Sequence, residues 1–201
     1  GEREDPVNIR EKRWRETHER LMTEGIKAFA RYGISGTRAA DVARAAGVAV
    51  GTLYFHFGDK EGLLREILER GSTGLLEAVE AASQVEAEDL ETGVRMQVEA
   101  MADYVAATCP LSRVLFDPRT IESRSLDLEE KMIAQQEASI RAWQERGLVR
   151  LDVDPAMAAR ARVGMLMNVM SWWCRNRRRT PREEVVGTLV RLCTHGMAGP
   201  G

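Results

Sequence analysis

The sequence predicts an all-α chain in two parts: an N-terminal three-helix unit built on a helix-turn-helix over residues 1–60, and a larger helical unit over 61–201. Three observations predict this. Apolar residues recur at helical spacing through every long segment, strand-like alternation and internal repeats are absent, and two short apolar segments are joined at Gly47. With 201 residues, 44% of them hydrophobic, the chain can bury a sizeable core.

Asp5-Pro6 suits an early helical turn, because proline is tolerated at a first helical position. From about Arg10 to Tyr32, Leu21, Met22, Ile26, Phe29 and Tyr32 form one apolar stripe. The start of this helix crowds Arg10, Lys12, Arg13 and Arg15 between Glu11, Glu16 and Glu19. That pattern fits a basic arm on a polyanion as well as a solvated helix start.

Gly33-Ile34-Ser35-Gly36 breaks the helix, and Thr37 is expected to cap the next one. Val42, Ala43 and Ala46 give that short helix an apolar stripe, and Gly47 ends it where a left-handed backbone is needed. Val48 and Leu53 bracket a second short helix, about Val50 to Phe57, which can cross the first because Ala43 is small. This is helix-turn-helix logic, with the second helix shaped to enter a DNA major groove. Val50, Gly51, Thr52, Tyr54 and Phe55 lie off its core face. Gly51 allows close approach, Thr52 offers a hydroxyl and a methyl, and Tyr54 reaches phosphate or base edges. His56 and Lys60 follow, where both can donate to phosphate oxygens.

The run AGVAVGTLYFHFGDKEGLL resembles the DNA-binding signature of TetR-type transcriptional regulators, and RLMTEGIKAFARYGISGT resembles that family's first helix. The resemblance covers roughly Arg20 to Leu64. Arg38 stands where Ser or Thr is common, and Ala40 where many members carry a charged base-contacting side chain. DNA contacts are expected from Thr37 and Arg38 together with the second-helix residues. The resemblance also implies a homodimer whose last two helices pair with their symmetry mates.

Gly58-Asp59 closes the second short helix, and Asp59 is placed to cap the next. That helix carries Leu63, Leu64, Ile67, Leu68, Leu75 and Leu76, with Gly71 and Gly74 as expected weak points. It is long enough to link the two parts. A helix to about Thr108 carries Val94, Val98, Met101 and Val105, and Cys109-Pro110 ends it. A short helix to Phe116 precedes a turn at Asp117-Pro118, and a further helical segment from about Ser123 to Arg146 ends at Gly147. Asp154-Pro155 opens a helix apolar over much of its circumference, and Thr180-Pro181 opens a last one running through Met197. Helices that are apolar over so wide an arc are buried on several sides.

Two sets of residues in the second part are candidates for function. Met101, Tyr104, Phe116, Trp143, Asn168, Trp172 and Trp173 combine apolar walls with a few polar tips, as small-molecule chambers do, although plain core explains each of them too. Met170, Val185, Leu189, Leu192 and Cys193 are expected at a dimer interface, with a monomer core as the alternative. The run Arg175 to Arg179 fits either an anionic headgroup or the negative end of a helix.

Composition excludes several classes. Cys109, Cys174 and Cys193 form no CxxC, so a zinc site or disulfide framework is not expected. No GxSxG, HExxH, Walker loop or dinucleotide fingerprint occurs, and His18, His56 and His195 are distant in sequence, so neither enzyme, metal nor cofactor is expected. The charged N-terminus GEREDP has no apolar h-region, and a cytoplasmic chain is expected. Residues 1–60 hold 11 Lys and Arg against 9 Asp and Glu, within a net charge of −2. Phosphate contacts must therefore be local. The expectation is a ligand-responsive regulator, most simply a repressor, whose homodimer binds a palindromic operator and is released by a small, largely apolar effector. A helical scaffold using its helix-turn-helix for protein contacts is the alternative.

Overall fold

The computed structural model describes residues 6–117 and 127–196. Asp5, Pro118, Ser123 and Met197, which figure in the sequence reading, lie outside the described residues. Among those described there are nine helices and no strand: α1 (Pro6–Gly36), α2 (Ala39–Ala45), α3 (Val50–Phe57), α4 (Lys60–Ser83), α5 (Leu90–Ala107), α6 (Cys109–Leu115), α7 (Asp127–Glu145), α8 (Pro155–Asn176) and α9 (Arg182–His195). Two compact units divide the chain, Gly1–Arg70 and Gly71–Gly201, so the division falls inside α4 rather than at its start. No helix among the described residues is long and apolar enough to cross a membrane.

In the first unit, α1 is interrupted where glycine permits it: Gly33 takes φ 71, and the chain resumes a last turn before α2. Thr37 does not cap α2. Arg38 holds the N-cap position without a side-chain hydrogen bond, while the buried Thr37 hydroxyl donates 2.7 Å back to the Gly33 carbonyl freed by the break. Gly47 closes α2 at φ 70. Its N–H donates to the Arg44 carbonyl and the Val48 N–H to the Ala43 carbonyl, the paired bonds of a Schellman motif. Val42, Ala43, Ala46 and Leu53 then bury together with Leu21, Met22, Phe29, Leu63, Leu64 and Ile67. Of the expected α1 stripe, Tyr32 alone turns out to solvent, under the Arg31 guanidinium.

The second unit packs α5 against α9 and α7 against α8, with α6 also on α8. Caps set the helix limits: the Asp89 carboxylate accepts from the Thr92 N–H, and Asp154 from the Met157 N–H. Gly71 and Gly74 prove to be notches. The Leu111 side chain sits where a Gly71 Cβ would point, the Tyr104 ring occupies the same place at Gly74, and the Tyr104 hydroxyl donates 2.9 Å to the Gly71 carbonyl. The propensity lost at two glycines is offset by close packing of α4 on α5 and α6.

Candidate nucleic-acid interface and the cavity of the second unit

Helix α3 is fixed on its inner face by the fully buried Leu53 and presents Val50, Gly51, Tyr54 and Phe55 to solvent. Phe55 is 78% exposed and Tyr54 48%, and nothing approaches within 4 Å of the position a Gly51 Cβ would take. A large aromatic left bare on a well-anchored short helix marks a contact surface, because apolar area of that size is normally withdrawn from water. Arg38 is exposed at the N-cap of α2, and Thr52 is half-buried on α3.

Besides Thr37, whose hydroxyl is taken up by the Gly33 carbonyl, two residues expected among the DNA contacts are otherwise engaged. The Lys60 ammonium donates 3.0 Å to the Ile34 carbonyl and lies 3.8 Å from Glu61, tying α4 to the end of α1. His56 leaves the outer face of α3 and turns inward. Its Nδ1 lies 3.2 Å from Nδ1 of His18, whose Nε2 donates 2.5 Å to Glu66. Trp14 stacks on both imidazoles, with ring centroids 4.8 Å apart in each case, and Phe57 lies 4.5 Å from His18. Thus α1 and the end of α3 share a polar-aromatic joint that α4 completes through Glu66. Burial, followed by the neighbouring His18, pulls the His56 pKa below its ordinary value. One turn away, Arg70 holds Glu19 in a two-bond clamp at 2.7 and 2.8 Å, which lowers the Glu19 pKa. Histidines 38 residues apart give no sequence signal of this meeting. Only the α1 register, with Trp14 one turn before His18, hints at it.

In the second unit, a cavity of about 620 Å³ lies among the start of α5, the end of α7, the following loop, the first half of α8 and the end of α9. Of the seven expected chamber residues only Trp143 lines it. Met101, Phe116 and Trp173 are closed into core, the Trp173 indole donating to the Thr180 carbonyl; Tyr104 fills the α4 notch; Asn168 and Trp172 face outward on α8. The interface expectation also changes. Met170, Val185 and Leu189 are buried within the protomer's own core and have no surface to offer a second copy, while Leu192 and Cys193 line the cavity.

The sequence reading passed over Arg162. It is buried among the cavity's walls, its Nη2 donating 2.8 Å to the Gln97 side-chain oxygen and its guanidinium 5.3 Å from the Trp143 ring. Gln97 is itself held by Ser83 and Ser139. Its signal was an arginine set between Ala161, Val163 and Leu166 in a broadly apolar helix, where a charge is rare without a purpose. The arginine run resolves more plainly: Arg177 donates to the Ala106 carbonyl at the end of α5 and lies over the Trp173 ring. Among the described residues no group of three or more His, Cys, Asp or Glu is placed to hold a metal ion.

An anchored helix-turn-helix joined through one long helix to an all-helical unit with its own cavity defines the class, a two-unit DNA-binding regulator. The sequence pattern described as bacterial regulatory proteins, tetR family, matches residues 21–67. The regulator PfmR from Thermus thermophilus, a solved TetR-family structure, is 31% identical, with a TM-score of 0.75, over 90% of this chain and 100% of that one. The HTH-type transcriptional repressor SCO4008 of Streptomyces coelicolor is 29% identical over 144 residues, 70% of each chain. The HTH-type transcriptional regulator AcrR of Shigella flexneri is 35% identical over 60 residues, a match spanning 30% of this chain and 28% of AcrR. The chain belongs to the TetR family of transcriptional regulators.

Proposed function

We propose that the chain is a homodimeric repressor that places two copies of α3 in a palindromic operator and is released by a small-molecule effector bound in its second unit. The observation that carries this reading is the bare outer face of α3. Val50, Gly51, Tyr54 and Phe55 stand clear on a helix anchored by Leu53 and by the His56–His18 joint. Thr52 and Arg38 flank that face, and the exposed Arg10, Lys12 and Arg13 of α1 supply phosphate contacts. Thr37, His56 and Lys60 serve the interface by positioning it, since their polar atoms are directed to other parts of the protein. In this reading the first unit, through Arg70, is the DNA-binding part, and the second, from Gly71, is the effector-binding and dimerisation part.

The dimer face in this reading is the outward stripe of α8, where Met157, Ala161, Gly164, Asn168 and Trp172 recur at helical spacing and remain exposed. Small residues there let two backbones approach, and Trp172 supplies an aromatic anchor. The effector acts only through a difference in its affinity for the DNA-matched and mismatched states.

The test is selection of fragments from the source genome by the purified protein, followed by titration of the best fragment at two salt concentrations. A palindromic site whose affinity falls steeply with salt supports the reading, as counterion release requires. Phe55→Ala and Tyr54→Ala should each weaken that binding about tenfold or more. Uniform weak binding to all fragments, unchanged in the two variants, would overturn it.

A further inference from the structure

Arg162 is more than nine-tenths buried and lines the cavity, yet its Nε and Nη1 atoms have no hydrogen-bond partner among the described residues. A guanidinium taken out of water keeps its charge, and a buried charge without a counter-charge is costly to hold. Gln97 contributes a neutral oxygen and Trp143 a ring face. The remaining polar neighbour is the Cys193 thiol, whose weakly accepting sulfur lies against the guanidinium. Burial holds its pKa up, only partly opposed by Arg162, so it stays neutral near pH 7 and supplies no counter-charge. The other cation at the wall, Arg150, already forms an ion pair with Asp152.

Among the described residues the cavity thus has one unspent positive charge and otherwise largely apolar walls, including Val94, Ile140, Trp143 and Met165. Its volume of about 620 Å³ falls within the range that takes drug-sized molecules. We propose that it binds a singly charged carboxylate with an apolar body, the acid group beside the Arg162 guanidinium and the body against Trp143, Ile140 and Met165. A doubly charged phosphate would bring surplus negative charge into an apolar chamber whose described walls hold a single free cation. This rests on the effector reading above and gives that effector a chemical class.

Isothermal titration of the full chain with decanoate and with 1-decanol, equal in length and differing in charge, tests the proposal. Decanoate should bind about 30-fold more tightly, the typical value of charge-assisted hydrogen bonds in a buried site. In Arg162→Met the two ligands should bind within about threefold of each other, and Arg162→Lys should recover part of the preference. Equal affinity of the unaltered chain for acid and alcohol, or no binding of decanoate up to about 1 mM, overturns the proposal without any variant having to fold. So does a carboxylate preference that survives in Arg162→Met. Operator titration on the same samples separates this from the functional reading. Arg162-dependent decanoate binding that leaves operator affinity unchanged upholds the site and removes effector release. Operator binding with no carboxylate preference does the reverse.

Discussion

Replacing Gly62 with alanine should destabilise the first unit although alanine is the better helix former. Gly62 lies in the first turn of α4, where an added Cβ would stand 2.0 Å from the Phe57 carbonyl oxygen and 3.1 Å from its carbon. Carbon–oxygen contacts settle at about 3.3–3.6 Å, so roughly 1.3 Å of movement is required. The obstacle is the backbone of the last residue of α3 and cannot rotate away. Relief must separate the start of α4 from the end of α3, and with it the 2.6 Å bond from the Gly62 N–H to the Asp59 carboxylate. Losing a cap costs about 1 kcal/mol and overpacking about 1–3 kcal/mol, while the glycine-to-alanine gain returns about 1 kcal/mol. The net loss is about 1–3 kcal/mol. In a chain of this size that lowers Tm by about 2–4 °C per kcal/mol, measurable by far-UV circular dichroism. Gly51→Ala is the paired control, because nothing lies within 4 Å of its Cβ position; its Tm should hold or rise slightly. If Gly62→Ala melts at or above Gly51→Ala, the tight α3–α4 corner is not a constraint and the reasoning fails.

Stability should fall as pH drops below about 6.5, the ordinary histidine value. The folded-state pKa of His56 is lowered, so the unfolded chain takes up a proton that the folded chain refuses: its contribution is intact above about pH 6.5 and is lost between there and the lower folded value. Melting temperatures at pH 7.5 and 5.5, compared with those of His56→Gln, check this; an equal drop in the variant would exclude His56 as the source. Cys174 should resist alkylation in the folded protein, because burial and the Cys109 thiol 3.7 Å away push its pKa up to about 12. Iodoacetamide at pH 8 followed by peptide mass spectrometry should label it orders of magnitude more slowly than in urea, and equal rates would contradict its buried setting. Trp172→Arg should weaken self-association about 30-fold if α8 is the dimer face, shifting the mass in light scattering toward the 22.5 kDa of one chain. An unchanged mass would move the interface elsewhere.

What was legible in the sequence is what local physics decides. The stripe of Leu21, Met22 and Phe29, the positive-φ glycines at 33, 47, 58 and 147, and the caps at Asp59 and Asp154 are fixed by spacing and by single-residue conformational cost, and each stands where the chain predicts it. The outward face of α3 was equally legible, because eight residues with one buried leucine leave few ways to turn. Side-chain destination was not. His56 and Lys60 occupy the positions the pattern allots to them, yet His18 and the Ile34 carbonyl, 38 and 26 residues away, capture their polar atoms. In α8 and α9 a wide apolar arc does not say which residues close the protomer's own core, so Met170 and Leu189 fit an interface on paper and are buried in the structure.

Gly74 and Arg162 show why this error has a direction. Read locally, a mid-helix glycine is a weakness and an arginine on a broad apolar helix is an exception to its pattern. Each acquires its purpose from a neighbour on another helix: the Tyr104 ring fills the glycine notch, and Gln97 with Trp143 frames a cation that lacks a counter-charge. Propensity and periodicity average over such positions. A departure from the pattern therefore carries more information about packing and sites than agreement does, but only the three-dimensional neighbour tells which kind. Gly74 is answered within the chain and is structural; Arg162 is answered only in part, and the unanswered part is what makes its cavity a site.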